Sequence, residues 1–315
     1  MARGRDASFF YGNSKNLTLM KRYKIVHRTV YTFGSPVTLG PHFLMLRPRE
    51  SHELRIEASV LRIDPAPTLR WVRDIEDNSI AIAEFSTPAD RLEIYSEVDI
   101  QHYNVTPLDF IIDDYAVTYP FSYTKENRLF LRPYLIVPKH STGRRFNVWL
   151  KAVKNGAEGR QTFQFLNDLM ERIHNNFEYR VREEEGVQTA EDTLRLRTGS
   201  CRDFANLFII TARRCGFAAR FVSGYLNTIG PSEIPGATHA WAEVYIPGGG
   251  WKGFDPTSNC VVGPDHITVA VSQNPAAVPP VAGSFVGPPG AQLQVGVWVK
   301  SLDEVVEAGG ATAVA

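Results

Sequence analysis

The chain has 315 residues, 43% of them hydrophobic, with Lys plus Arg and Asp plus Glu balanced at 34 each. That length and apolar content suffice for one large domain or two, and a formal net charge of zero supplies no global field to draw nucleic acid or an anionic membrane. Three cysteines make no disulfide framework, which predicts a reducing, cytoplasmic setting, and no stretch approaches the roughly 20 apolar residues of a membrane-spanning helix.

Residues 1–20 hold Arg3 and Arg5 ahead of Phe9, Phe10 and Tyr11, without a continuous apolar run or a cleavage site. They are expected to be a disordered extension, and Met20 offers an alternative start. Over 21–110 short alternating segments separated by turn residues run from Tyr23 to Phe33, Leu39 to Arg47, Leu54 to Ile63, Ser79 to Phe85 and Leu92 to His102. This pattern predicts an all-β, sandwich-like N-terminal domain with its boundary near residue 110. The next segment, 111–160, reads as a connection, irregular through Pro138, because Pro, Tyr and Phe crowd it. From 161 to 300 the pattern turns mixed, with apolar residues at helical spacing from Thr162 to Phe177 and a short helix beginning near Glu191.

The turn Thr198-Gly199-Ser200 then introduces Cys201, with Ser200 placed to cap a helix and Asp203 placed to reach back as in a capping box. Phe204, Leu207, Phe208, Thr211, Ala212 and Cys215 follow a three-and-four spacing with Arg202, Asp203, Arg213 and Arg214 largely off it, and Gly216 stands where the helix should stop. A thiol at a helix start feels unpaired amides worth roughly half a positive charge, which favours the reactive thiolate. A thiolate nucleophile also needs an imidazole beside it and a third group to orient that ring.

His239-Ala240-Trp241-Ala242-Glu243-Val244-Tyr245-Ile246 alternates as a strand, and Trp251 to Asp255 returns antiparallel after the Pro247–Gly250 turn. The parity of that turn decides whether the imidazole and the carboxylate can meet. A four-residue loop sets Asp255 opposite Ala242, on the wrong face; an odd loop or a bulge sets it opposite Trp241, diagonal to His239 and within side-chain reach. An odd loop or bulge is therefore expected. Phe217 to Leu226 is β-prone and should pair with this hairpin, and the strand starting at His266 and the last apolar strand, Leu293 to Val299, are expected to return over the core before a frayed tail at 301–315. His266 stands as a decoy for the imidazole. Cys260 and His266 lie close in sequence, but no C-x₂-C with H-x₃₋₅-H spacing occurs, so no metal and no cofactor are expected.

The order of Thr198-Gly199-Ser200-Cys201-Arg202-Asp203-Phe204, Thr238-His239-Ala240-Trp241 and Gly253-Phe254-Asp255-Pro256 resembles the transglutaminase-like core of the papain-type superfamily, with the nucleophile at a helix start and its partners on strands. The run Val37-Thr38-Leu39-Gly40-Pro41-His42, continuing to Leu46-Arg47-Pro48-Arg49, likewise resembles the leader domain of bacterial transglutaminase-like proteins, although Asp77-Asn78-Ser79 stands where those proteins tend to carry a Gly-Asn turn. The resemblance implies an α+β core whose antiparallel sheet packs on the Cys-bearing helix. It also implies Cys201 as nucleophile, His239 as base, Asp255 as orienter and a peptide or protein as substrate, with no nucleic-acid or membrane partner. Hydrolysis of a peptide or glutamine-type amide is expected ahead of transglutamination, with a non-catalytic peptide-binding module as the competing class.

Overall fold

A computed structural model describes residues 20–103, 106–182, 184–227 and 238–302. The expected extension at 1–20 and tail at 301–315 lie, apart from residues 20, 301 and 302, outside the described residues. The N-terminal part is built from β1 (Lys21–Leu39), β2 (His42–Leu44), β3 (Leu54–Asp64), β4 (Thr68–Arg73), β5 (Ser79–Glu84) and β6 (Ala89–His102). Along β1 the buried positions Tyr23, Ile25, His27 and Thr29 alternate with more exposed ones, as period-two patterning requires. A register shift between Thr32 and Val37, at Gly34-Ser35-Pro36, re-aims the strand. Its first half joins the large central core through Tyr23 and Ile25, while Phe33, Val37 and Leu39 fill a separate core with Leu44, Leu46, Leu92 and Ile94. Strand β4 was not among the expected strands; Thr68-Leu69-Arg70-Trp71-Val72-Arg73 is exposed along its whole length and so carries no alternation to read.

The connection expected over 111–160 holds α1 (Lys125–Leu135), within the part expected to be irregular, and α2 (Arg144–Lys154) beyond Pro138. Thr124 caps α1 by accepting the Asn127 amide at 3.2 Å, so the helix forms despite Pro133 inside it. The start of α2 is capped from far away, Glu191 accepting the amides of Arg145 and Phe146 at 3.1 and 2.9 Å. A cap so distant in sequence leaves no local signature.

The core continues through α3 (Thr162–Asn176), β7 (Glu178–Tyr179), α4 (Ala190–Leu196), β8 (Thr198–Gly199), α5 (Cys201–Arg214), β9 (Ala219–Leu226), β10 (His239–Ile246), β11 (Gly250–Asp255), β12 (Cys260–Val261) and β13 (His266–Ser272). The last five strands form an antiparallel sheet in the order β12-β11-β10-β9-β13, and α5 packs on β9 and β10. This is the expected α+β arrangement. Helix α5 is buried on nearly every side: Asp203 and Arg213, expected off the apolar stripe, are only 0% and 5% exposed. Arg213 is tolerated there because its guanidinium donates to the carbonyls of Ile136, Ala219 and Gln273. Gly216 ends the helix at φ 97°, with the Phe217 amide on the Ala212 carbonyl and its own amide on that of Arg213, a Schellman closure.

The final strands β14 (Val281–Ala282), β15 (Phe285–Val286) and β16 (Gln292–Ser301) depart from expectation. β16 was expected to cover the catalytic core; it pairs antiparallel with β1, from Tyr23↔Ser301 to Thr32↔Gln292. β15 also pairs with β1, and β14 pairs with β2 in the second sheet, ordered β14-β2-β5-β4. The C-terminal segment thus completes both sheets of the N-terminal sandwich, because β1 without it would be an open edge with unpaired backbone groups.

Candidate active site

Local chemistry places Cys201 at the first turn of α5. Asp203 Oδ2 accepts the Ser200 amide at 2.8 Å and the Ser200 hydroxyl at 2.9 Å, the return arm of a capping box. Gly199 is required by space: a Cβ there would lie 2.9 Å from the Asp203 Cβ and 3.2 Å from a Phe204 ring carbon. Asp203, fully buried, also accepts from Arg182 Nε and the Gln188 amide, each at 2.8 Å. Arg202 ties the same loop by donating to the carbonyls of Arg182 and Glu184. The turn before Cys201 is therefore held by its own cap and by contacts from Arg182, Glu184 and Gln188, while Cys201 stays partly accessible.

Strand pairing brings in the other two groups. Tyr245 faces Trp251 and Ile246 faces Gly250, so the β10–β11 loop is the odd, three-residue turn 247–249. Gly248 sits at φ 81°, where a side chain would also meet the Ile111 carbonyl at 2.7 Å. Continuing the register past Ala242↔Phe254 sets Asp255 opposite Trp241, diagonal to His239 as the odd-loop argument required. The side chains meet: His239 Nε2 lies 2.7 Å from Asp255 Oδ2. Nδ1 is thereby left free of Asp255, and the charge of Cys201 acts on the ring.

The electrostatics follow from this contact. Burial pulls the His239 imidazolium down, but hydrogen bonds to Asp255 and Cys201, with their charges, more than offset it and raise its pKa to about 10. Burial would likewise raise the Asp255 carboxyl, yet His239 and His266 hold it well below the usual carboxylate range. Asp255 Oδ1 accepts the amides of Thr257 and Ser258 at 2.9 and 3.2 Å, so this fully buried carboxylate has a partner at both oxygens. The remaining cysteines differ from Cys201 in setting: burial pushes the Cys215 and Cys260 thiols up to about 11.

Two neighbours escaped sequence reasoning. His266, expected only as a decoy, places Nε2 3.2 Å from the same Asp255 Oδ2, a contact made when β13 pairs with β9. Tyr179 reaches the site through the parallel β7–β8 pair, opposite Gly199, and its hydroxyl is raised by burial and by the charges of Cys201 and Asp255. Trp241 lines no groove; it is fully buried with Val222 and Val271 and meets the His266 ring edge-on at 5.2 Å between centroids. Trp251 packs against Tyr134 and Tyr245.

His239, Asp255 and His266 are also the one group of potential metal ligands among the described residues, their donor atoms lying within 4.8 Å of one another. Spacing arithmetic missed it because the three converge by strand pairing. The two Nε2 atoms and the shared Oδ2 are engaged with each other by hydrogen bonds, which a cation would have to displace. No helix among the described residues is long and apolar enough to cross a membrane.

The family model of the bacterial transglutaminase-like N-terminal region matches residues 23–101, and that of the transglutaminase-like superfamily matches 151–256. An uncharacterized protein of Mycobacterium tuberculosis is 32% identical over 284 residues, covering 83% of this chain and 87% of its own. One from Mycobacterium leprae is 26% identical over 303 residues, covering 90% and 100%. Among solved structures, a suspected cysteine protease of Cytophaga hutchinsonii superposes with a TM-score of 0.70 at 20% identity over 90% of this chain and 92% of that one, a likeness of fold.

Proposed function

The chain belongs to the transglutaminase-like superfamily, in the form that carries a bacterial transglutaminase-like N-terminal region, and from that premise we propose that it is a cysteine-dependent enzyme hydrolysing peptide or glutamine-type amide bonds. The observation that carries the reading is the 2.7 Å contact of His239 with the buried Asp255, beside a thiol at a capped helix start. Cys201 Sγ attacks the amide carbonyl carbon, and the oxyanion takes a hydrogen bond from the Cys201 amide, with the Tyr179 hydroxyl as second donor. His239, protonated, gives its proton to the departing amine as the C–N bond breaks, leaving a thioester. Neutral His239 then takes a proton from water, hydroxide adds to the thioester carbonyl, and collapse releases the acid and the thiolate. Asp255 keeps its charge throughout and holds the ring's Nε2 side. In the cytoplasm, where this reading places the enzyme, the three free cysteines stay reduced.

The test is the pH dependence of iodoacetamide alkylation, resolved by peptide mass analysis. Cys201 should react readily at pH 6 and lose that reactivity in His239→Ala, while Cys215 and Cys260, with thiols pushed up to about 11, stay inert as internal controls. Ordinary thiol behaviour of Cys201 near pH 8.5, indifferent to His239, would move the reading to a non-catalytic peptide-binding module. Incubating a glutamine peptide with a lysine amine separates the chemistries: free acid and ammonia mark hydrolysis, and an isopeptide product marks transglutamination.

A further inference from the structure

On the helical side of the core, α2, the end of α3 and α4 enclose a groove of about 640 Å³, a volume typical of ligand sites. Arg144, Arg145, Arg172 and Arg197 line it together with Trp149 and Val148, and its lining includes no carboxylate. In a chain whose charges balance at 34 against 34, four guanidiniums around one groove are a local excess. Glu191, 3.8 Å from Arg145 and also the acceptor for the first amides of α2, offsets one of the four charges.

The arginines are also placed against helix electrostatics. Arg144 and Arg145 occupy the first turn of α2, whose own residues bring no acid there, so the one carboxylate at that positive helix end is the capping Glu191. Aromatic faces, rather than carboxylates, hold two of the other guanidiniums: Arg172 lies 6.0 Å from the Trp149 ring centroid and Arg197 4.8 Å from that of Phe177. Trp149 is itself fixed by its indole N–H on Thr211 Oγ1 at 3.0 Å. Guanidiniums placed over aromatic rings can still offer N–H groups to an oxyanion, and Val148, 67% exposed, adds an apolar wall.

The chain itself links one end of the groove to the turn that carries Cys201. Arg197 ends α4 in the left-handed region, its carbonyl accepts the Glu178 amide next to Tyr179, and only Thr198, Gly199 and Ser200 separate it from Cys201, a span of at most about 14 Å. We propose that this groove binds an acidic, partly apolar stretch of the polypeptide substrate and delivers the adjoining residues to Cys201. The proposal rests on the hydrolase reading for its purpose but not for its measurement. Carboxylates of the peptide would pair with the guanidiniums, and an apolar side chain would meet Val148 and Trp149.

The test reads binding alone, in Cys201→Ala protein, by fluorescence anisotropy of a labelled Glu-rich peptide containing Leu and of its Gln counterpart. The Glu peptide should bind, more weakly as salt rises, and the Gln peptide should bind at least about tenfold more weakly. Arg144→Gln with Arg172→Gln should weaken the Glu peptide about tenfold or more, with circular dichroism and melting temperature reporting that the fold persists, and Arg144→Lys with Arg172→Lys should restore part of the loss. Equal binding of the Glu and Gln peptides, or indifference to the double variant, would overturn the proposal, as would tighter binding of an oligonucleotide or of tripolyphosphate. Peptide binding in Cys201→Ala together with no turnover of any amide by the native chain would support the groove and count against the hydrolase.

Discussion

Asp255 holds two imidazoles on one carboxylate oxygen, His239 at 2.7 Å and His266 at 3.2 Å, so its loss should be felt through the pH profile more than through the fold. The His239 pKa is raised from 6.5 to about 10, so the ion pair's stabilisation is complete below pH 6.5 and fades as pH rises through about 10. In the proposed mechanism acylation needs protonated His239, so the alkaline limb of kcat/KM should fall near pH 10. In Asp255→Asn that limb should move down towards 6.5, with kcat lowered by up to about 10⁴-fold at neutral pH. A limb that stayed in place would remove Asp255 from the machinery. Tyr179→Phe tests the second oxyanion donor: kcat should fall about 10²-fold while alkylation of Cys201 keeps its pH dependence, and an unchanged kcat would reduce Tyr179 to packing against Phe204. That Cys201 opens a capped helix and that His239 meets Asp255 across a hairpin was legible in the sequence, because each stands in a local pattern of cap, strand or strand end. His266 and Tyr179 were not, since nothing near them in the chain announces the strands that carry them in.

Among the elements, the hairpin that unites His239 with Asp255 was the most legible. A period of two makes side-chain orientation a question of parity, and the glycine run at 248–250 permitted the odd turn that the chemistry demanded. Helix α5 was equally plain at its ends, where Ser200, Asp203 and Gly216 act through neighbours in the chain. Its burial was not, for charged residues at 203 and 213 look like a solvated face until Arg182 and three backbone carbonyls are seen to satisfy them. Helices α1 and α2 failed for two reasons: Pro133 argued against the first, and the cap of the second, Glu191, is supplied by α4. Elements stabilised by their own sequence were readable, and those stabilised by distant partners were not.

At the scale of the molecule, the sandwich and the α+β core unite by the same kind of distant contact. Tyr23 donates to Asp265 at 2.7 Å, His27 meets the Tyr225 hydroxyl at 3.0 Å, and Tyr23, Ile25, Val98, Ile100 and Val297 belong to the same apolar cluster as Phe204 and Phe208. Asn78 makes the most specific of these links: fully buried, it donates to the Val271 carbonyl and accepts the Val271 amide, both at 2.8 Å, as a strand neighbour would. Val271 lies on β13, which also carries His266 to Asp255, so this turn of the sandwich steadies one edge of the sheet that holds His239 and Asp255. In Asn78→Ala both backbone groups lose their partner in a dry setting, at about 1–3 kcal/mol each. The melting temperature should drop by several degrees in one cooperative transition. The pH profile of Cys201 alkylation should stay in place, because His239 and Asp255 meet through β10 and β11 rather than β13. Two separate transitions, with the catalytic core melting at its native temperature, would show the halves to be independent and the sandwich to be a passive neighbour of the site.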